Sequence, residues 1–466
     1  MKRDLATGCE NKLGKEVVLY GWVNNRRDHG KIIFFDLRDS SGIVQVVATP
    51  KKEKAYQVAS KLGSEDVISV IGSVNKRPVG NINKEVETGE IEVIAESVTL
   101  IGKAEALPIP IEGDGYDIEE NIRFKFRYID LRRPRLQKNL RIRHEIVKAA
   151  REYLDSEGFT EIETPYLSKT TPEGSRDFLV PARLQKGKFY ALAQSPQQYK
   201  QLLMIAGIEK YYQFARCFRD EDLRADRQFE HTQIDVEMAF VEREDVMRAV
   251  ENLIIYVTEK MGKKIEKKPF PIITYKEAMD KYKTDRPNLN KNKGEFAFAW
   301  VVDFPLLEKT DGGGYTFEHN PFAAPKPEHV ESLMKEKDLD KLESLQYDLI
   351  CNGKEIAGGS IRIHEPEIQK QIFKVMGYPD KRIEEEFGHL LAAYKYGAPV
   401  HGGIAVGFDR LVASLCGEEN IREVIAFPVT SGGQTAVMEA PSEVEEKQLK
   451  DLSIKVEALP RTNKKG

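Results

Sequence analysis

Chemistry is first suggested by two arginine-bearing segments that lie far apart in the chain. Residues 218–228 read F-R-D-E-D-L-R-A-D-R-Q, with H-T-Q-I-D-V-E-M-A-F close behind, and residues 407–410 read G-F-D-R. Arg219 stands at the end of an alternating run, beside a loop carrying Asp220, Glu221, Asp222, Arg224, Asp226 and Arg227. A guanidinium held at a strand end can grip a planar, phosphate-bearing anion through paired hydrogen bonds. Taken alone, the loop also fits a solvated hairpin tip. The second arginine is embedded in H-G-G-I-A-V-G-F-D-R-L-V-A-S-L, residues 401–415. There a short apolar strand ends at Gly407, Asp409 can cap a helix, and Leu411, Val412 and Leu415 give that helix a buried stripe. Gly407 lets a flat ligand approach the backbone, and Arg410 stands at the positive end of the helix. The chain has no G-x-x-x-x-G-K-[ST] loop and no G-x-G-x-x-G after a strand, so two other nucleotide-binding plans lack support.

These groups need elements to position them. Residues 210–219 and 231–240 alternate like half-buried strands. In the second, Ile234, Val236, Met238 and Phe240 share one face and Gln233, Asp235 and Glu237 the other, which predicts a sheet whose polar side is a binding floor. Residues 17–23, 32–39, 42–48, 67–74 and 91–100 form five strand-like runs, as in a five-stranded OB-fold barrel that binds oligonucleotides. Its first loop, N-N-R-R-D-H-G-K, lies near Phe34 and Phe35, so arginines for phosphates stand near aromatics for stacked bases; a plain solvated loop is the alternative. Residues 121–143 carry nine Lys/Arg against one Asp and read as a hinge and basic helix start contacting a phosphate backbone, or else as a solvated face. A helix over 143–156 opens an α+β region. The predicted organisation is a barrel domain at 1–105, a linker at 106–140, a catalytic domain at 141–445 and a charged tail at 446–466.

Composition agrees with an enzyme of more than one domain. The 466 residues carry a formal net charge of -4, so any RNA contact must come from local patches. Cys9, Cys217, Cys351 and Cys416 are scattered with no C-x-x-C pair, which argues against a zinc knuckle or disulfide framework and for a reducing compartment. No apolar stretch suffices to span a bilayer and M-K-R-D-L-A-T-G lacks a signal core, so no membrane association and a cytoplasmic location are expected.

The two arginine segments resemble the second and third signature motifs of class II aminoacyl-tRNA synthetases. R-H-E-I-V-K-A-A-R-E-Y-L-D-S-E-G-F-T-E-I-E-T-P-Y-L, residues 143–167, resembles the first, which in that family forms a homodimer interface. With T-P-E-G-S-R-D-F-L-V-P, Q-S-P-Q-Q-Y-K-Q-L-L-M and N-G-K-E-I-A-G-G-S-I-R-I-H, the pattern is similar to bacterial-type aspartyl-tRNA synthetases over nearly the whole chain. The resemblance implies a catalytic domain with a central antiparallel sheet flanked by helices. It also implies L-aspartate and ATP as substrates, Mg²⁺ as cofactor, and tRNA(Asp) as partner.

Site roles follow residue by residue from that resemblance. Lys200 and Arg362 match the positions that receive the aspartate β-carboxylate; such a pocket rejects asparagine because a neutral amide leaves buried cations unpaired, a discrimination of roughly 10⁴ or more. Glu173, in a glycine-containing loop like the family's flexible lid, with Gln197 and Asp235, matches the α-ammonium site, and His319 also matches an aspartate-binding position. Arg219 and Arg410 match the catalytic arginines on the α- and γ-phosphate sides of ATP. Glu221 and Gln228 match adenosine contacts, and Glu355, Gly407, Phe408 and Asp409 complete the ATP site. Asp348 and Glu355 match carboxylates that hold Mg²⁺, a hard cation that prefers carboxylate and substrate oxygens. On the barrel, Arg27, Phe34 and Gln45 match anticodon readers.

The chain departs from the pattern in three places. I-T-Y-K-E-A-M-D-K-Y-K-T-D-R-P-N-L runs almost directly into A-F-A-W-V-V-D-F-P-L-L-E, without the insertion domain of many relatives. H-N-P-F replaces H-H-P-F, so Asn320 stands where a second histidine is usual, and Q-F-E-H-T-Q replaces Q-P-E-F-T-Q, making His231 a surface neighbour rather than a ligand. Relatives that also charge tRNA(Asn) more often carry histidine at the position of His29 and glycine at that of Gly80, so a non-discriminating enzyme is expected. Asparaginyl- and lysyl-tRNA synthetases are the alternatives within the class, disfavoured by Lys200 with Arg362. A silent RNA-binding paralogue would have lost an ATP-handling arginine or a metal carboxylate, and this chain keeps them.

Overall fold

Alternating side chains close the first of two units, Met1–Pro110, into a barrel; the second unit is Ile111–Gly466. The computed structural model describes residues 3–171, 173–292, 294–317 and 319–457. The barrel strands are β1 (Glu16–His29), β2 (Ile32–Arg38), β3 (Ile43–Ala48), β4 (Val67–Lys76) and β5 (Ile91–Gly102), with helix α1 (Glu53–Ala59) after β3. They bond in the order β1-β2-β3-β5-β4, with β3 and β5 parallel and the other described pairings antiparallel. Val17, Leu19, Phe35, Leu37, Val44, Val46, Val70 and Val93 fill the interior at full burial. The loop expected at N-N-R-R-D-H-G-K is strand as far as His29: Arg27 pairs with Phe34 and His29 with Ile32. Past Val23, β1 has no buried apolar face of its own and is held by its ladder to β2, and periodicity is blind to such a strand.

In the second unit, α2 (Pro134–Ser156) leads to β6 (Thr160–Glu161), α3 (Gln197–Ile205), β7 (Lys210–Phe218), β8 (Glu230–Ala239) and α4 (Arg243–Lys260). Then come β9 (Ile272–Thr274), β10 (Phe298–Val302), β11 (Gln346–Cys351), β12 (Lys354–Ile361), α5 (Asp380–Tyr394), β13 (His401–Gly407) and α6 (Phe408–Cys416). The eight strands form one sheet in the order β9-β10-β11-β12-β13-β8-β7-β6. Its centre is antiparallel as expected, while the edge pairs β9–β10 and β6–β7 are parallel. Helices α2, α4 and α6 bury Ile146, Leu154, Leu253, Ile254, Leu411 and Leu415 against Ile234, Val236, Ile404 and Val406 of the sheet. Each fully buried side chain of this size contributes about 1.5–3 kcal/mol before chain entropy is counted. That packing face leaves Gln233, Asp235 and Glu237 on the other side of β8. Phe240 does not join the apolar face: β8 ends at Ala239, and Phe240 turns out at φ 58°, 73% exposed.

The basic run at 121–143 is not simply a solvated face. It belongs to the second unit, and Arg123, Arg127 and Arg133 are buried. Arg123 donates to Asp130 (3.0 Å) and Glu423 (2.8 Å), Arg127 to Asp130 (2.8 Å), and Arg133 to Asp130 (2.7 Å). Arg135 pairs with Glu418 and Glu423, and Arg143 with Asp409. Apart from Asp130, the balancing carboxylates lie at 409–423, far along the chain, so these five arginines look unpaired only in sequence. All four cysteines are free. No helix among the described residues is long and apolar enough to cross a membrane.

Candidate active site

The polar face of β8 is a floor of buried charge. Lys200, from α3, donates to Asp235 and stands 3.1 Å from the Glu237 carboxylate. Arg362, one residue beyond β12, donates to both oxygens of Glu237, at 2.9 and 3.2 Å, and to Ser360 Oγ at 2.9 Å. None of these four charged groups is more than 2% exposed. Burial opposes charge on Glu237, yet Arg362 and Lys200 together hold its carboxyl below the usual range; on Asp235 burial wins and its carboxyl is pushed up. The two cations are therefore paired with protein carboxylates, not left open as the sequence suggested. Glu237, which the sequence marked only as part of the polar face, is the hub. Gly403 makes room for it: a Cβ there would come within 1.9 Å of the Glu237 Oε2 atom and 2.1 Å of the Val236 carbonyl oxygen.

A wall rises beside this floor. Glu173 accepts from Ser195 Oγ at 2.7 Å, and burial pushes its carboxyl up while Ser195 and Arg219 pull the other way. Gln194 Nε2 donates to Asp177 (2.6 Å) and to the Ser175 carbonyl (2.9 Å), tying the loop of Glu173 to the body. Glu173, Gln194 and Ser195, with Thr171, Gln198 and Tyr199, line a cavity of about 450 Å³. Gln197 opens α3 one turn before Lys200 and donates to Gln201 Oε1 at 3.2 Å.

Arg219, Glu221, Gln228, Glu355 and Arg410 meet around a second cavity of about 320 Å³, which Gly407 and Asp409 also line. Arg219 Nε donates to the Gln194 carbonyl at 3.4 Å, which links this cavity to the wall. Arg410 donates to the Glu355 carbonyl at 3.2 Å and stands 3.3 Å from the Asp226 carboxylate. Gln228 Oε1 accepts from the Val429 N–H at 2.9 Å. His231 also lines the cavity and is no surface neighbour: burial and the charges of Arg219, Arg410 and Arg216 push it down to about 3, so it is neutral. Its alternation with Gln233 and Asp235 on β8 was the signal that could have placed it.

Two G-F-D-R residues play other parts than expected. Phe408 is 1% exposed, its ring edge-on to Phe214 at 5.5 Å and under the Arg143 guanidinium at 4.6 Å, so its side chain anchors α6 in the core. Asp409 does not cap the helix, because Gly407 is the N-cap. From the first turn its carboxylate accepts from the Thr232 N–H (2.9 Å) and pairs with Arg143, bolting α6 to β8 and α2. Arg410 is thereby carried on a fixed helix.

Asp348 on β11 and Glu355 on β12 face each other across Gly358. A Cβ at 358 would lie 3.0 Å from Asp348 Oδ1 and 3.7 Å from Glu355 Oε1, so the missing side chain leaves space beside both carboxylates. Burial first, and then the Asp348 charge, push the Glu355 carboxyl up. Crowding of that kind is relieved by a hard cation. Among the described residues no group of three or more His, Cys, Asp or Glu could hold a metal, so the pair would need ligand oxygens to complete a shell. His319 is placed here, 3.3 Å from Asp348 and edge-on to Phe304, and not among Lys200 and Arg362. Asn320 accepts from the Phe322 N–H at 3.0 Å and so braces its own turn.

On the barrel, Arg27 reaches Gln45 Oε1 at 3.5 Å and Asp36 at 3.6 Å, and Gln45 Nε2 donates to Glu92 at 3.0 Å. The Gln45 amide, expected to offer itself to a base, is engaged at both ends. His29 packs edge-to-face on Phe34, centroids 5.8 Å apart at 82°. Gly80 sits in the turn Val79–Asn81, where a Cβ would meet nothing within 4 Å.

The family model for tRNA synthetases class II (D, K and N) matches residues 119–431, and that for the OB-fold nucleic acid binding domain matches 17–101. The chain is 41% identical to an aspartate–tRNA(Asp/Asn) ligase of Caldanaerobacter subterraneus subsp. tengcongensis, covering 96% of each sequence. It is 42% identical to an aspartate–tRNA ligase of Thermosipho africanus, covering 95% of this chain and 96% of that one. The first alignment runs over 573 positions, longer than the 466 residues here, so that relative carries residues which this chain lacks, in keeping with the missing insertion. Among solved structures, asparaginyl-tRNA synthetase from Pyrococcus horikoshii with asparaginyl-adenylate superposes with a TM-score of 0.74 at 24% identity, covering 92% of this chain and 98% of that one, a likeness of fold. A polar sheet floor edged by Arg219 and Arg410, an OB-fold barrel and these matches agree: the chain belongs to the class II aminoacyl-tRNA synthetases of the D, K and N group.

Proposed function

We propose that the chain is an aspartate–tRNA ligase, which joins L-aspartate to ATP as aspartyl-adenylate and passes the aspartyl group to the 3′ end of tRNA. The observation that carries this reading is the pair of buried cations, Lys200 and Arg362, meeting on Glu237 at the polar floor. An aspartate β-carboxylate is the ligand side chain that two such cations would hold. Asparagine would present a neutral amide to the same pair, and lysine a third cation. Glu173, Gln197 and Asp235 are the acceptors for the α-ammonium, with His319, beside Asp348, as the remaining aspartate-site residue.

The aspartate α-carboxylate is itself the nucleophile at the α-phosphorus of ATP; a P–O bond forms as the bond to pyrophosphate breaks. The protein's work is to align two anions and balance the growing charge. Arg219 serves the α-phosphate side and Arg410 the γ-phosphate side. Glu221, Gln228 and the backbone at Gly407, Phe408 and Asp409 hold the nucleoside, and neutral His231 adds no charge between the arginines. Asp348 and Glu355 fit Mg²⁺, which would supply Lewis-acid neutralisation of the phosphates. The terminal ribose hydroxyl of tRNA then takes the aspartyl group from the adenylate, and no side chain is assigned as base.

ATP–pyrophosphate exchange with aspartate, asparagine and lysine in turn tests this reading. Aspartate alone is expected to support exchange; exchange with asparagine or lysine instead overturns it. On the barrel, Phe34 stacks an anticodon base with Arg27 and Gln45 beside it, and His29 props Phe34. We infer that both tRNA(Asp) and tRNA(Asn) are charged, as the names of several relatives have it for those enzymes. Aspartylation of each purified tRNA checks this: the wild type should charge both, and His29→Leu should lose the asparagine tRNA selectively. We further propose a cytoplasmic homodimer assembled through residues 143–167, for which sedimentation should give twice the chain mass.

A further inference from the structure

Behind the floor, three buried neutral polar groups with no part in the proposed reaction lead toward Gln197. His401, Gln201 and Tyr394 are 0%, 0% and 4% exposed. His401 Nδ1 stands 2.7 Å from the Pro399 carbonyl oxygen. A carbonyl only accepts, so Nδ1 carries the proton. Burial lowers the imidazole's proton affinity, which leaves it neutral and its Nε2 atom an acceptor. Gln201 Nε2 lies 3.4 Å from that atom and 3.0 Å from the Tyr394 hydroxyl. Only the nitrogen end of an amide can face a bare imidazole nitrogen, so the oxygen end of Gln201 must point the other way. There it accepts from Gln197 Nε2 at 3.2 Å, one helical turn back. The direction of each bond is set in turn from His401 outward. The last amide, Gln197, is the half-buried member, and with its nitrogen donating to Gln201 its oxygen is the end that bond leaves unused.

We propose that His401 and Gln201 are positioning residues that fix the Gln197 amide with its oxygen toward the α-ammonium of the bound amino acid. The Pro399 carbonyl decides the tautomer, the tautomer decides how Gln201 lies, and Gln201 decides how Gln197 lies. With the acceptor at His401 removed, Gln201 is free to flip, and a flipped Gln201 would present N–H groups to Gln197. Gln197 would then turn its own N–H groups on a cation. The Tyr394 hydroxyl can donate or accept and so dictates no direction. The inference rests on the reading of the site as an aspartate site, and the wild-type exchange reaction tests that reading separately.

The experiment compares His401→Phe and Gln201→Met with wild type in ATP–pyrophosphate exchange, with Tyr394→Phe as the control for losing a buried hydrogen bond at the same depth. Succinate, which has both carboxylates of aspartate and no ammonium, is the competing probe. In both variants KM for aspartate should rise about tenfold, the scale of one hydrogen bond to a charged group. KM for ATP and the inhibition constant of succinate should stay within about twofold, below the scale of one neutral hydrogen bond. Tyr394→Phe should leave KM for aspartate near the wild-type value. An unchanged KM for aspartate in the variants overturns the proposal. So does a parallel loss of succinate affinity, which marks general damage to the pocket, or an equal rise in Tyr394→Phe. If His401→Phe does not fold, Gln201→Met decides by the same readouts. A wild type that shows no exchange with aspartate condemns the functional reading rather than the relay.

Discussion

Glu237→Gln addresses the charge balance of the floor. The side chain keeps its shape and loses its charge, so Lys200 and Arg362 are left facing Asp235 alone. At about 3 Å and an effective dielectric near 20, each lost charge pair is worth roughly 5 kcal/mol of attraction. The buried glutamine no longer bears the desolvation cost of a carboxylate, which offsets a large part of that sum. Breaking a buried pair by removing one partner typically costs about 3–5 kcal/mol, and the variant should lose stability in that range. The same reasoning gives the loss a signature. An aspartate β-carboxylate can refill the balance, so added aspartate should stabilise the variant more than the wild type, which itself gains about 2.7 kcal/mol at a hundred times its Kd. Urea unfolding with and without aspartate reads both quantities. A loss under about 1 kcal/mol, the scale of an ordinary substitution, would refute the argument, as would equal stabilisation of both proteins by aspartate.

Arg219→Ala and Arg410→Ala should each lower adenylate formation by about 10²–10³ with the fold intact, since each removes one charge-stabilising contact; exchange activity with circular dichroism checks this, and near-normal exchange would remove that residue from its role. Stability should fall in acid. Burial opposes charge on Asp130, Glu237 and Glu423, but their arginine and lysine partners hold all three carboxyls below the usual range. Carboxyls depressed in the fold contribute stability above their unfolded values, near pH 4, and lose it as pH drops toward their folded ones. The Asp235 carboxyl, which burial holds high, works the other way and blunts the fall. Urea midpoints between pH 7 and pH 3 should therefore decline below about pH 4.5; a flat profile there would contradict the pairing.

Period-2 alternation along residues 231–239 was enough to place Ile234 and Val236 against the helices and Gln233, Asp235 and Glu237 on the opposite side, because side-chain direction on a strand is local. The same locality made the barrel strands legible, as well as the strand–glycine–helix turn that carries Arg410. Phe408 and Asp409 show the limit: G-F-D-R marks where a helix starts, while the partners Phe214, Arg143 and Thr232 that make these residues anchors arrive from elsewhere in the chain. The buried arginines at 123, 127 and 133 make the point in part: Asp130 sits within their own run, but Glu423 and the carbonyls of Arg422 and Ile425, which help bury Arg123 and Arg127, come from far along the chain. Sequence by itself determined which residues could carry charge, bend or alternate, and on which face of its own element each would lie. Only the tertiary structure decided which charges neutralise one another. Glu237 became the hub of two cations because Gly403 of β13 leaves space for its carboxylate and β12 ends where Arg362 can reach it. Pair energies depend on distance and burial, which local sequence does not set.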